Sequence, residues 1–114
     1  MSPEERDVGL LGDILTASRR ALSYTDDLTE QDFLADSCTQ DAVLRNLMVI
    51  GEAANRLTVA TRATVDLPWK KIIGQRHVAV HDYDKLDFHR IWQTVRTDLP
   101  PLVDLIDRYL AERA

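Results

Sequence analysis

Eight consecutive residues, Arg76-His77-Val78-Ala79-Val80-His81-Asp82-Tyr83, hold most of the chemistry this chain can offer. They gather a permanently charged guanidinium, two imidazoles, a carboxylate and a phenol. A set of this kind can grip a phosphate and move protons around it. The guanidinium fork matches two phosphate oxygens, and imidazole changes charge near neutral pH. Of the three histidines in the chain, two lie in this stretch, and the third, His89, follows it closely.

Three chemistries fit these residues. In the first, His77 and His81, four apart on a helix, share a zinc ion whose third ligand comes from His89, from Asp82 or from elsewhere in the bundle. Arg76 beside them repels a cation, and no companion Glu or Cys completes the pattern. In the second, Arg76 pairs with an acid such as Glu52, and the histidines are satisfied polar residues at a helix end. In the third, the site cleaves a phosphodiester without a metal or cofactor. That reaction needs a base for the 2′-hydroxyl proton, an acid for the leaving 5′-oxygen, and a cation for the charge growing on phosphorus. His81 suits the acid or base, Arg76 the cation, and His77 and Asp82 a supporting role.

The elements that must carry this motif read as helices. Gly and Pro number four each, and the alternation of a half-buried strand is absent. Helix one opens with Ser2 as N-cap, Pro3 in the first turn and Glu5 three residues after the cap, and carries Leu11, Ile14, Leu15 and Leu22. A short segment starts near Thr29 with Phe33 and Leu34. The next helix opens after Asp36-Ser37 and is expected to run to about residue 61, with Val43, Leu47, Ile50, Ala54 and Leu57 on one side. Gly51 lies beside that stripe, where a neighbouring helix can approach.

Pro68 punctuates the chain before a helix expected over residues 69 to about 81. Trp69, Ile72, Ile73, Ala79 and Val80 form its apolar face, and Arg76 falls in the centre of that face. A guanidinium there is costly unless it is paired or lines a cleft or subunit interface. On a continuous helix Arg76 and His81 stand about 140° apart. Either the helix unwinds near His81 or a second copy of the chain completes the site. A two-fold dimer sets identical patches face to face and doubles the available groups.

The last helix starts at Asp87. Phe88, Ile91, Trp92, Val95, Leu99, Leu102, Ile106, Tyr109 and Leu110 follow at steps of three and four. Pro100-Pro101 interrupts it without changing its phase, which predicts one kinked helix or two nearly collinear ones. The expected fold is all-α: an antiparallel bundle of four main helices plus a short helical segment, forming a single domain over residues 1–114.

With 45% hydrophobic and 29% charged residues, the chain has the composition of a folded globular domain. The one cysteine, Cys38, cannot form an internal disulfide, and the acidic, polar start lacks a secretory signal; a cytoplasmic protein with no membrane span is expected. The net charge of −5 argues against nucleic acid until its distribution is considered. From Trp69 to Arg90, Lys70, Lys71, Arg76, Lys85 and Arg90 outnumber Asp82, Asp84 and Asp87, which concentrates positive charge around the motif.

Taken together, these residues resemble the HepT-like toxins of the HEPN ribonuclease superfamily, over roughly residues 10–110. Ile50-Gly51-Glu52-Ala53-Ala54-Asn55 is similar to that family's second-helix signature. Pro68-Trp69, Arg76-His77, His81-Asp82-Tyr83 and Ile91-Trp92 follow in its order and spacing. Asparagine is commoner after the arginine, where this chain has His77. The resemblance implies a HEPN-like helical homodimer with a composite, metal-independent RNase site at its interface, Arg76 and His81 being catalytic. It also implies a partner, a small MntA-like nucleotidyltransferase antitoxin, that transfers AMP to the motif tyrosine, Tyr83. A non-catalytic subunit that only binds and regulates such a nucleotidyltransferase is the alternative.

Overall fold

A computed structural model describes residues 1–74 and 86–113 of the chain. Among the described residues every regular element is helical. Helix α1 spans Pro3–Thr25, α2 Glu30–Leu34, α3 Ser37–Arg56 and α4 Val59–Thr64. Residues 69–74 are helical and form α5. Helix α6 (Phe88–Gln93) passes through a π-helical turn, Thr94–Asp98, into α7 (Leu99–Ala111).

The starts of these helices follow from local chemistry. Each of the first four backbone N–H groups of a helix lacks an internal partner, and side chains supply them. Ser2 and Glu5 form the expected reciprocal capping box on α1. Thr29 and Asp32 form a second one on α2, Asp36 caps α3, and Asp87 caps α6. The Thr39 hydroxyl and backbone N–H both donate to Asp36 and hold its carboxyl below the ordinary carboxylate value.

Cross-links between helices fix the topology. Asp7, near the start of α1, meets Thr58, just past the end of α3, so these two helices run antiparallel. Arg19 pairs with Asp107 at 3.4 Å, and the Arg96 guanidinium donates to the Thr25 carbonyl at the C-terminal end of α1. The α6–α7 segment therefore also runs antiparallel to α1. Between these elements lies the core, with Leu11, Ile14, Val43, Val95 and Ile106 fully enclosed. Arg96 also lies over the Trp92 ring, 5.1 Å from its centroid, and Trp92 in turn contacts Phe33. This stack seats α2 against α6.

Two expectations are corrected. The helix expected to run to about residue 61 ends at Arg56: Leu57 is extended, and Thr58 caps the separate helix α4 by accepting from the Thr61 N–H. The break is held by Asp7, which is 2% exposed. Its carboxylate accepts from the Thr58 hydroxyl at 2.6 Å, the Thr61 hydroxyl at 2.7 Å and the Thr58 N–H at 3.3 Å. A continuous helix would bury the Thr58 N–H in its own ladder and leave that carboxylate short of donors. The bundle consequently carries two short helices, α2 and α4, where one short segment is expected from sequence.

The proline pair resolves into the π-helical turn. Leu99 N–H donates five residues back, to the Thr94 carbonyl. Pro100 and Pro101 have no N–H to donate and crowd the preceding turn, so the ladder widens just ahead of them. The apolar stripe survives this: Ile91, Val95, Leu99, Leu102 and Ile106 are all buried.

Candidate functional site

Residues 75–85 carry the motif, and Arg76, His77, His81, Asp82 and Tyr83 all lie outside the described residues. The expected helix to about residue 81, the angular separation of Arg76 and His81, and the pairing of Arg76 with Glu52 fall there too. What the structure does establish is the footing on either side.

Upstream, the footing is built on Trp69. Its indole Nε1 donates to the Arg62 carbonyl at 3.0 Å and the Val65 carbonyl at 2.9 Å. Both carbonyls belong to the C-terminal end of α4, where helix carbonyls lack internal partners. Trp69 thus closes α4 and starts α5 with one side chain, and its ring is 8% exposed. One turn on, Ile72 is buried, and its N–H donates to the Pro68 carbonyl. It sits in a small apolar depression shared with Leu47, Ile50, Leu99 and Leu102. At the rim of that depression Lys71 Nζ meets Asp98 Oδ2 at 2.8 Å.

Downstream, Leu86 is half-buried against the core, and Asp87 accepts from the N–H groups of His89 and Arg90. Phe88 meets Phe33 edge-to-face with centroids 6.2 Å apart. His89 Nδ1 lies 2.7 Å from Glu30 Oε1, so the third histidine is directed toward α2. Among the described residues no group of His, Cys, Asp or Glu side chains is arranged to hold a metal ion. Glu52 is exposed on α3, and Gly51 is buried beside Ala53 and Ala54.

The structure therefore fastens both ends of the motif stretch to one core, through Trp69 and Ile72 before it and Leu86 and Phe88 after it. Lys70 and Arg90 are exposed beside these anchors, and cations in that position favour a polyanion over a neutral substrate. Three partners escape a reading of sequence alone: Glu30 for His89, Asp98 for Lys71 and Asp7 for Thr58.

Comparison with known proteins decides the lineage. The family described as ribonuclease HepT-like matches residues 14–109, from the middle of α1 to the end of α7. The chain belongs to the HepT-like ribonuclease family. It is 34% identical over 93 residues to a Thermococcus cleftensis protein assigned as ribonuclease HepT, covering 81% of this chain and 84% of that protein. It is 31% identical over 100 residues to a Methanocaldococcus jannaschii protein assigned as an RNase, covering 86% and 92% of the two chains. No solved structure matches it. An all-α bundle of this order is what family membership requires, and no described helix is long and apolar enough to cross a membrane.

Proposed function

We propose that this HepT-like protein is a metal-independent endoribonuclease, the toxin of a toxin–antitoxin pair, and that it acts as a homodimer. The observation that carries the reading is the family match over residues 14–109, which spans Arg76, His81 and Tyr83. The anchored footings and exposed cations on either side of the motif support it. So does the chemistry of the residues themselves.

In this reading Arg76 binds two non-bridging oxygens of the scissile phosphate and stabilises the phosphorane. His81 of one protomer takes the 2′-hydroxyl proton or gives one to the leaving 5′-oxygen, and the Arg76 that completes the site comes from the two-fold copy. His77 and Asp82 orient these groups. The products carry a 2′,3′-cyclic phosphate and a 5′-hydroxyl.

Tyr83 is the control point in the same reading. An MntA-like nucleotidyltransferase transfers AMP to its hydroxyl, which places bulk and negative charge two residues from His81, where an RNA phosphate must sit. Tyr83→Phe keeps the ring and removes the acceptor oxygen. Co-expressed with the partner, the Tyr83→Phe chain is expected to remain toxic, while the parent is silenced and gains AMP in mass spectrometry. Equal silencing of both would assign neutralisation to binding alone.

A further inference from the structure

Charge is divided between the two ends of the bundle. From residue 21 to residue 44 the charged residues are Asp26, Asp27, Glu30, Asp32, Asp36 and Asp41, with no lysine or arginine. From residue 53 to residue 74 they are Arg56, Arg62, Lys70 and Lys71, against Asp66. Asp7 meets Thr58 at one end of α1, and Thr25 closes its other end, a rise of about 27 Å. Fields between exposed charges decay over about 8 Å at physiological ionic strength, so the acidic end does not cancel the basic one. The net charge of −5 is therefore no guide to what the basic end attracts.

That end is a fixed corner. Arg56 ends α3, Arg62 lies in α4 and Lys70 in α5. Each is next in sequence to a buried anchor: Leu57, Thr61 and Trp69. Asp7 holds the hydroxyls of Thr58 and Thr61, and the Trp69 indole holds the Arg62 and Val65 carbonyls. That indole N–H also covers the negative pole of α4, which would otherwise repel an anion. Lys71 is paired with Asp98, and Arg6 lies by the Asp7 carboxylate. Among the described residues no carboxylate pairs with Arg56, Arg62 or Lys70. The nearest acids in sequence are Glu52, one turn before Arg56, and Asp66.

We propose that Arg56, Arg62 and Lys70 form a second phosphate-binding subsite that grips the backbone of single-stranded RNA, an inference that rests on the ribonuclease reading above. Helix α5 leads from this corner to Gly74, two residues before Arg76 in the chain. Long cationic side chains on three pinned elements suit a flexible chain of phosphates. The ring of the corner, Trp69, is buried, so no base stacks on it and the grip is independent of sequence. Val59 is the one large apolar side chain fully exposed there, too little for the apolar centre of a protein interface.

The probe is a fluorescein-labelled 2′-O-methyl RNA oligomer, which has no free 2′-hydroxyl and cannot be cut by the proposed route. Its binding to the full chain is followed by anisotropy across a series of salt concentrations. Arg62→Gln and Lys70→Gln are each expected to lower the slope of log K against log salt by about 0.7, and to weaken binding about fivefold at about 0.1 M salt. The loss should be the same for oligomers of different sequence. Arg56→Gln should act in the same direction more weakly, since Glu52 stands one turn away. Asp66→Asn should tighten binding, a gain that misfolding does not produce. Arg20→Gln, the same charge change toward the acidic end, should match the parent. Thermal midpoints should not move, because Arg62 is held within the fold by its backbone carbonyl. A slope unchanged in both Arg62→Gln and Lys70→Gln would overturn the proposal, and so would an equal loss in Arg20→Gln. Loss of polyglutamate binding in those variants with RNA binding intact would assign the corner to an acidic protein and overturn it too. If the parent binds the oligomer but cuts no RNA, the nuclease reading fails alone. If it cuts RNA while the variants bind as tightly as it does, the subsite fails alone.

Discussion

Replacing Arg76 or His81 with alanine is expected to reduce RNA cleavage by about 10²- to 10⁴-fold, the cost of removing a charge stabiliser or an acid–base group. The helical circular dichroism and thermal midpoint should stay near those of the parent, because the anchors of the motif stretch are Trp69, Ile72, Leu86 and Phe88 and not these two side chains. The pair also tests assembly. If Arg76 and His81 act together across a two-fold interface, mixing the two inactive chains leaves one intact site in each mixed dimer and restores about a quarter of the parent rate. Recovery should need time for subunit exchange. A variant that keeps full activity removes its residue from the mechanism. Mixed chains that stay inactive remove the arrangement in trans.

The largest effect on stability is expected at Asp7. Its buried carboxylate receives donors from Thr58 and Thr61 and ties the first turns of α1 to the start of α4. Asp7→Ala leaves those donors without their acceptor in a closed junction, and should cost about 2–4 kcal/mol. Burial alone pushes the Asp7 carboxyl up. The Thr58 and Thr61 hydrogen bonds, with Arg6 nearby, outweigh that and hold it below its ordinary value of 3.8. A carboxyl whose value is lower in the folded state stabilises the fold most above the ordinary carboxylate range. That contribution fades as pH falls toward the folded-state value. Urea unfolding at a series of pH values should therefore show the parent losing more stability on acidification than Asp7→Asn does. Parallel pH profiles for the two would separate this junction from acid unfolding.

Much of the architecture is legible in single residues. Ser2 and Glu5, Asp36 and Asp87 mark helix starts because capping is local: donor and acceptor lie within three residues of each other. The stripes from Leu11 to Leu22 and from Ile91 to Ile106 mark buried faces for the same reason. The break at Leu57 is different. Thr58 and Thr61 would be tolerated inside a helix, and the group that makes the break favourable, Asp7, lies 51 residues earlier in the chain. Pro100-Pro101 announces a disturbance, but whether it becomes a kink or a π-helical turn depends on which carbonyls the widened ladder can still satisfy.

For the site, the residue types and spacing from Arg76 to Tyr83 offer phosphate handling as one of three chemistries, and the family match spans these residues. Pairings across space are not legible in the same way. His89 reads as a possible metal ligand from its place in the chain, yet its Nδ1 meets Glu30 on α2. The Lys71–Asp98 contact likewise joins residues 27 apart, and nothing near Lys71 foretells it.

The central claim is that these residues cut RNA by attack of the 2′-hydroxyl, without a metal. Its most direct test is to incubate the purified chain with a defined single-stranded RNA in excess chelator and to identify the new ends by mass spectrometry. The account predicts cleavage at the unchelated rate, with 2′,3′-cyclic phosphate and 5′-hydroxyl ends. Cleavage that stops with chelator and returns with zinc, or products bearing 5′-phosphate ends, would contradict it.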